Sequence, residues 1–395
     1  MGVYFPSALI FLYSESIMDT ILEQLAAFRS ICGEHEESVA IIDFVSTYLT
    51  KRGMFVERFE QDGFPSLVAT THPGRRAPKV LLAAHLDVVP APDNLFCLTL
   101  EDGIYRGRGV FDMKFAAAAY LHTVEALRDN LASYDFGIMF TSDEENFGYY
   151  GTGMLVEKGY LPEVCILPDA AEDWNIETSA KGAWFADIHI HGKASHGSRP
   201  WEGDSASIRL IKLLHDVHTL FQDAQQPHTP TLNIGILKSG TLVNQTPHHA
   251  VAALDIRFAN RTDFQRLQAN VRRLCQEHDA ELRTTRNATL PTSADLTNPL
   301  IAAFSNCITA ETGIVPKGIT SFGGSDAQFF SAHGIPCILT SPRGGNRHAD
   351  SEWLDAESYE HLKPILIAYL DKVAKTTKSR SKRLTHDISA LASTK

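Results

Sequence analysis

Several apolar stretches of this chain end in side chains of the type that holds metal ions. Residues 81–90, "LLAAHLDVVP", read as a buried strand that closes with His85 and Asp87. Two positions apart on a strand, both side chains point to one face, into the space beyond the sheet where α/β proteins keep their ligands. Asp112 follows in "GRGVFDMK", where glycines permit a tight turn before a helix. "TSDEEN" places adjacent Glu144 and Glu145 after the strand 135–142, and "LPDAAED" places Asp169 at the end of the strand 163–169. Far downstream, "PRGGNRHADSE" adds His348 from a glycine-rich loop. Two histidines and several carboxylates are the ligand set of a divalent metal, most naturally zinc. Carboxylates crowded together without cations would repel one another, so a metal also explains the clustering.

Each residue has an ordinary alternative. A histidine at a strand end is commonly a hydrogen-bonded loop residue, Asp112 alone would suit a helix N-cap, and an adjacent glutamate pair is usually one exposed and one capping carboxylate. The force of the set is joint, because each member falls just past an apolar strand. Competing histidine clusters weigh less. His189-x-His191 lies in an alternating strand with no carboxylate beside it and reads as a solvated strand face. His248 and His249 read as a turn before the strand 250–258.

The elements that must position these residues alternate in type. Helical periodicity covers about 19–31 and 38–52, with short strands near 54–60, 66–71 and 79–84 and a helix near 113–129. Strands alternating with helices predict a mostly parallel sheet covered on both faces. From about 182 the pattern changes to alternating strands at 182–192, 231–237 and 250–258 with helices at 204–221 and 262–278. That is the pattern of a small antiparallel sheet with two helices on one side. After about 290 the α/β style returns, with a helix at 298–312, the loop "SFGGSDAQFF", the strand "IPCILT" and a last helix at 356–374. The fold class expected is α/β with a mostly parallel catalytic domain, residues 18–180 and 291–378, interrupted by an α+β, ferredoxin-like insertion at 181–290.

Composition sets the class. With 395 residues two domains are the default, and 44% hydrophobic with 21% charged residues describes a globular protein. A formal net charge of -11 argues against nucleic acid as a partner, which demands an excess of Lys and Arg. The six cysteines, with no C-x-x-C pair, read as buried thiols of a reducing compartment, so a cytoplasmic location is expected. Residues 3–13, "VYFPSALIFLY", lack a basic n-region and are far short of a membrane span, so no membrane partner is expected. Because Met18 directly precedes an amphipathic run, residues 1–17 are expected to be a dispensable extension, and 379–395 a solvated basic tail.

The ordered series "HLDVVP", "GRGVFDMK", "SDEEN", "PDAAED", "AKG", "ASHGSRPWEG", "LVNQTP", "LDIRF", "FGGSDA" and "RHADSE" resembles the M20 family of metallopeptidases and amidohydrolases. This family includes carboxypeptidase G, acetylornithine deacetylase, succinyl-diaminopimelate desuccinylase and several dipeptidases. The resemblance implies a site for two zinc ions, and manganese or cobalt would suit the same ligands. His85 and Asp169 would bind one ion, Glu145 and His348 the other, and Asp112 would bridge them. Asp87 would accept the ring N–H of His85, and Glu144 would be the general base that prepares water for attack on an amide carbonyl. The inserted region resembles the family's lid and dimerisation domain. There His196 would reach across a homodimer to the carbonyl oxyanion, while Asn244, Arg257, Lys181 and Ser325 match positions that meet substrate.

Where the deacylase branches carry "GEPT", this chain has "LPDA", with Asp169 in place of Glu, a feature commoner in the family's aminopeptidases and dipeptidases. The function implied is hydrolysis of a C–N amide bond in a small peptide or N-acyl amino acid. The alternatives are a dedicated acetylornithine or succinyl-diaminopimelate type deacylase, and a catalytically silent, metal-stabilised binding protein.

Overall fold

The computed structural model describes residues 18–221, 229–284 and 288–376. The proposed extension 1–17 and tail 379–395 lie outside them.

The first sheet has six strands in the order Phe55–Gln61, Phe64–Thr70, Phe136–Thr141, Val80–His85, Val164–Ile166, Cys337–Ile338. Its edge hairpin turns at Asp62-Gly63, with φ of 53° and 82°, the left-handed pair that a two-residue hairpin favours. This hairpin joins the sheet antiparallel, while the four remaining strands run parallel to their neighbours. Val80–His85 and Phe136–Thr141 are buried at every position, as strands covered on both faces must be. The helix His35–Lys51 packs on Phe64–Thr70, and Lys114–Leu127 on Val80–His85.

The second sheet is antiparallel throughout, in the order Thr231–Ser239, His249–Phe258, Gly182–His191, Glu281–Arg283. With the helices Ala206–Thr219 and Arg261–Glu277 between its strands, it has the ferredoxin-like β-α-β-β-α-β order. Its alternation is explicit, since Trp184, Ala186, Ile188 and Ile190 are buried with Leu210, Leu213, Leu267 and Val271 in a core separate from the larger one.

Two smaller sheets had no counterpart in the sequence pattern. One joins Thr292–Ser293, Ile176–Ala180 and Gly318–Ser321; the other joins Gly344–Gly345, Trp353–Asp355, Ile104–Arg106 and Thr99–Glu101. Strands of two to five residues carry too little periodicity to read.

Some expectations are corrected. The last helix divides into Ala356–Glu360 and Leu362–Val373, because Pro364 has no N–H for the carbonyl four residues back and its ring crowds that carbonyl. All six cysteines are free, yet only Cys165, Cys275, Cys307 and Cys337 are buried; Cys32 is half-buried and Cys97 exposed. Among the described residues no helix is long and apolar enough to cross a membrane.

Candidate metal centre and active site

The parallel strands deliver the chemistry. His85 is in register with Thr141, and Leu82 with Ile166, so Val80–His85, Phe136–Thr141 and Val164–Ile166 point their carboxyl ends the same way. His85 and Asp87, Glu144 and Glu145, and Asp169 therefore leave one edge of the sheet together. The small sheet adds the rest: Ile104–Arg106 pairs with Trp353–Asp355, which sets the loop carrying Asp112 beside the loop carrying His348.

Asp112 stands between the two histidines. Its Oδ1 lies 3.1 Å from His85 Nε2 and its Oδ2 lies 3.1 Å from His348 Nε2. His85 Nε2 is also 3.9 Å from Asp169 Oδ1, and His348 Nε2 is 3.1 Å from Glu145 Oε1. Ligand atoms of His85, Glu144 and Asp169 fall within 4.8 Å of one another, as do those of Asp112, Glu145 and His348. Asp112 is thus not a helix cap. The helix Lys114–Leu127 has Met113 at its N-cap and no side-chain cap bond.

The electrostatics ask for positive charge. Burial disfavours a charged imidazole at His85, but bonds from Asp112, Asp169 and Asp87 hold its pKa well above the usual value. Bonds to Asp112 and Glu145 push His348 up to about 10. Burial would raise Asp112, yet the two histidines pull its carboxyl below the carboxylate range. Burial raises Glu144 well above its ordinary value, as it raises Glu145 and Asp169, and in each the charge of a neighbouring carboxylate adds to the rise. A pair of divalent ions, each with one imidazole and one terminal carboxylate and with Asp112 between them, would meet that demand with suitable donors. The residues fit such ions.

Asp87 does more than orient His85. Its backbone carbonyl is 3.0 Å from His85 Nδ1 and its carboxylate 3.5 Å away, while that carboxylate accepts the N–H of Glu144 at 3.3 Å and of Glu145 at 3.0 Å. Glu352 was missed although it ends the quoted "RHADSE". Its carboxylate accepts the N–H groups of Gly109, Phe111 and Asp112 and pairs with the buried Arg108 at 2.8 Å. Arg347, the residue before His348, is bonded to Glu172 and Ser341 and stacked 4.4 Å over Phe111.

The residues expected to meet substrate form a second group. His196 bonds Ser198, and Gly197 donates to the Asn244 carbonyl, so the loops carrying His196 and Asn244 pair with one another. Arg257 has its fork engaged by Asp255 at 2.6 and 3.0 Å and donates to the Phe322 carbonyl. Lys181 reaches the Thr229 carbonyl and lies over the Phe322 ring. Ser325, in the same loop as Phe322, has a buried hydroxyl with no partner among the described residues. Three of the four expected substrate contacts thus gather at the loop 322–326. That loop is tied to the loop after Glu145, since Asp326 accepts a bond from Thr152. Phe147 packs against Phe185 of the strand Gly182–His191 at 5.7 Å, and Tyr149 donates to the Ala288 carbonyl.

The model of peptidase family M20/M25/M40 matches residues 81–372. Relatives include the succinyl-diaminopimelate desuccinylase of Sulfurovum sp. (strain NBC37-1), 27% identical over 359 residues, or 87% of this chain and 95% of the relative. The desuccinylase of Acidiphilium cryptum (strain JF-5) is 27% identical over 368 residues, or 89% and 97%. A tripeptidase from Staphylococcus aureus subsp. aureus Mu50 has the same fold with a TM-score of 0.73 at 19% identity, covering 89% of this chain and 96% of that one. An M20 family metallo-carboxypeptidase from Sulfolobus solfataricus gives 0.73 at 17%, covering 88% and 97%. With nearly three quarters of its length matched by the family model and its strand ends carrying the expected donors, this chain belongs to peptidase family M20/M25/M40 and is a hydrolase acting on C–N bonds.

Proposed function

We propose that this chain hydrolyses the amide bond of a small peptide or N-acyl amino acid at a two-zinc centre. The observation that carries this reading is the bridging posture of Asp112, whose two oxygens each face a different histidine at 3.1 Å. His85 and Asp169 would hold one ion and His348 and Glu145 the other. When bound, the ions would lower the pKa of a water and polarise the scissile carbonyl. Glu144 takes the proton of the attacking water and returns it to the departing amine, the work of a positioned carboxylate beside the ions. Asp87 fixes the backbone from which both glutamates project. His196, Asn244, Lys181, Arg257 and Ser325 would meet the substrate after the lid closes.

The two cores support a catalytic unit of 18–180 with 291–378 and a lid of 181–290. A homodimer through the lid is supported by its exposed edge strand, which presents Ile234, Ile236 and Leu237 beside Ile208 and Ile211 of the neighbouring helix. Six free cysteines support a cytoplasmic setting.

A second reading, an N-acyl amino acid deacylase, is favoured by the desuccinylase relatives, whereas Asp169 favours a peptidase. The deciding experiment is hydrolysis of a panel of dipeptides, acetylated and succinylated amino acids by zinc-loaded protein, with Glu144→Ala as the blank. Cleavage confined to free-amino dipeptides selects the peptidase; cleavage confined to N-acyl substrates selects the deacylase. Absence of cleavage above the blank, with two ions bound, favours a substrate class outside the panel or the silent binding protein.

A further inference from the structure

The open face of the lid sheet carries a feature that amide hydrolysis does not use. From Phe185 onward along Gly182–His191 the buried positions are Ala186, Ile188 and Ile190, so His189 and His191 project from the face away from the helices. The neighbouring antiparallel strand begins at His249, which is in register with His191, while Val251 faces His189. Three imidazoles therefore share one patch, two from one strand at i and i+2 and the third directly across.

The rings are already close. His191 and His249 stack with centroids 4.9 Å apart, and His189 and His249 with centroids 5.6 Å apart. His189 Nδ1 stands 3.4 Å from His249 Nε2. Two nitrogens bound to one tetrahedral zinc at about 2.0–2.1 Å are themselves roughly 3.3–3.4 Å apart, so this pair is at ligand-to-ligand spacing. His191 is exposed with its ring stacked on His249, so it would join the same ion only after a side-chain rotation. Glu281, in register with His189 on the other flank, places a carboxylate at the rim, where Arg283 now holds it.

We propose that His189, His191 and His249 form a binding site for a borderline divalent ion such as zinc or copper, distinct from the cluster of His85 and His348. Imidazole is the preferred ligand of both metals, and a water or the Glu281 carboxylate would complete a tetrahedron. The ligating form is the neutral ring. Burial, Arg283 and His249 hold the His189 imidazole below its ordinary pKa, which keeps it in that form near neutral pH. A bound ion would also clamp the strands Gly182–His191 and His249–Phe258 together at their open ends.

The test is equilibrium dialysis of the full chain against low-micromolar free zinc, counting ions per chain by mass spectrometry. The His191→Gln/His249→Gln variant and the single variant His189→Gln serve as comparisons. The wild type is expected to hold one more ion per chain than the double variant, with His189→Gln also short of that ion. Amide hydrolysis and circular dichroism should be unchanged, because these side chains belong to neither core. Equal ion counts in the wild type and the folded double variant would overturn the proposal and leave the three rings as a stacked, metal-free patch.

Discussion

Glu352 holds Asp112 by its backbone, one carboxylate oxygen accepting the Asp112 N–H at 3.0 Å and the Phe111 N–H at 2.7 Å. The other oxygen takes the Gly109 N–H at 3.0 Å and the Arg108 guanidinium at 2.8 Å, all of it buried. Asp112 can face two histidines at once because the chain beneath it is fixed at three amides.

Removing that support gives the first prediction. Glu352→Ala removes the buried partner of Arg108, leaving its guanidinium the His348 and Ala349 carbonyls and the exposed Asp350 at 3.7 Å, and is expected to destabilise the fold by up to about 3–5 kcal/mol. Glu352→Gln keeps an acceptor and should fold, yet bind zinc roughly 10–100-fold more weakly, the scale for losing a group that orients a ligand. Dialysis and denaturant titration of the two variants separate these effects, and wild-type affinity in a folded Glu352→Gln protein would refute the positioning role.

Gly148 is held to glycine from two directions. Its φ is +69°, and a Cβ there would lie 1.8 Å from Asp326 Oδ1. Gly148→Ala should cost about 1–2 kcal/mol for the backbone alone, and more for displacing a buried carboxylate. Because the loop that moves also carries Glu144, kcat should fall further than KM changes. A variant with wild-type kcat and melting temperature would contradict this.

Asp19 predicts an acid limb of stability. Burial alone would raise its pKa, but bonds from His122, the Leu22 N–H and Tyr359 hold it below the ordinary 3.8. A carboxylate with a depressed folded pKa stabilises above its unfolded value, and that share is lost as pH falls through the folded one. Asp19→Asn retains a cap for the helix Thr20–Ala27 but should flatten the decline in stability below about pH 4. An unchanged acid limb in chemical denaturation would exclude Asp19 as its source.

Chelation should lower the melting temperature and zinc should restore it, since an ion at a hundredfold excess over its Kd contributes about 2.7 kcal/mol. Glu144→Ala should respond to the chelator as the wild type does while losing at least about a hundredfold in kcat. A chelator-insensitive melting curve would argue against resident ions.

Ile236 lies on the exposed edge strand, 47% accessible. Ile236→Asp is expected to leave the fold intact and shift sedimentation toward a monomer, with turnover falling in step if His196 acts from the partner. A monomeric wild type with full activity would remove that role.

What the sequence made legible follows from how far each signal reaches. His85, Glu144, Glu145 and Asp169 stand at the ends of strands buried at every position, and an uninterrupted apolar run that stops at a polar side chain is visible locally. Arg108 and Glu352 were in plain view within two quoted motifs, but 244 positions separate them, and only the small sheet at Ile104–Arg106 and Trp353–Asp355 brings them together. The closed fork of Arg257 was readable and overlooked, since Asp255 sits two residues away on the same sheet face. The break before Leu362 was equally readable from Pro364.

The packing of Phe147 on Phe185 has a kinetic meaning. Phe147 is two residues from Glu145, and Phe185 is on the first strand of the inserted unit, so if that unit opens as the proposed lid, the excursion would pull at the segment that must be still for proton transfer. Under that proposal gating and chemistry would share one latch. A smaller side chain at either position would open the gate faster and blunt the chemical step, so turnover should trade one rate against the other.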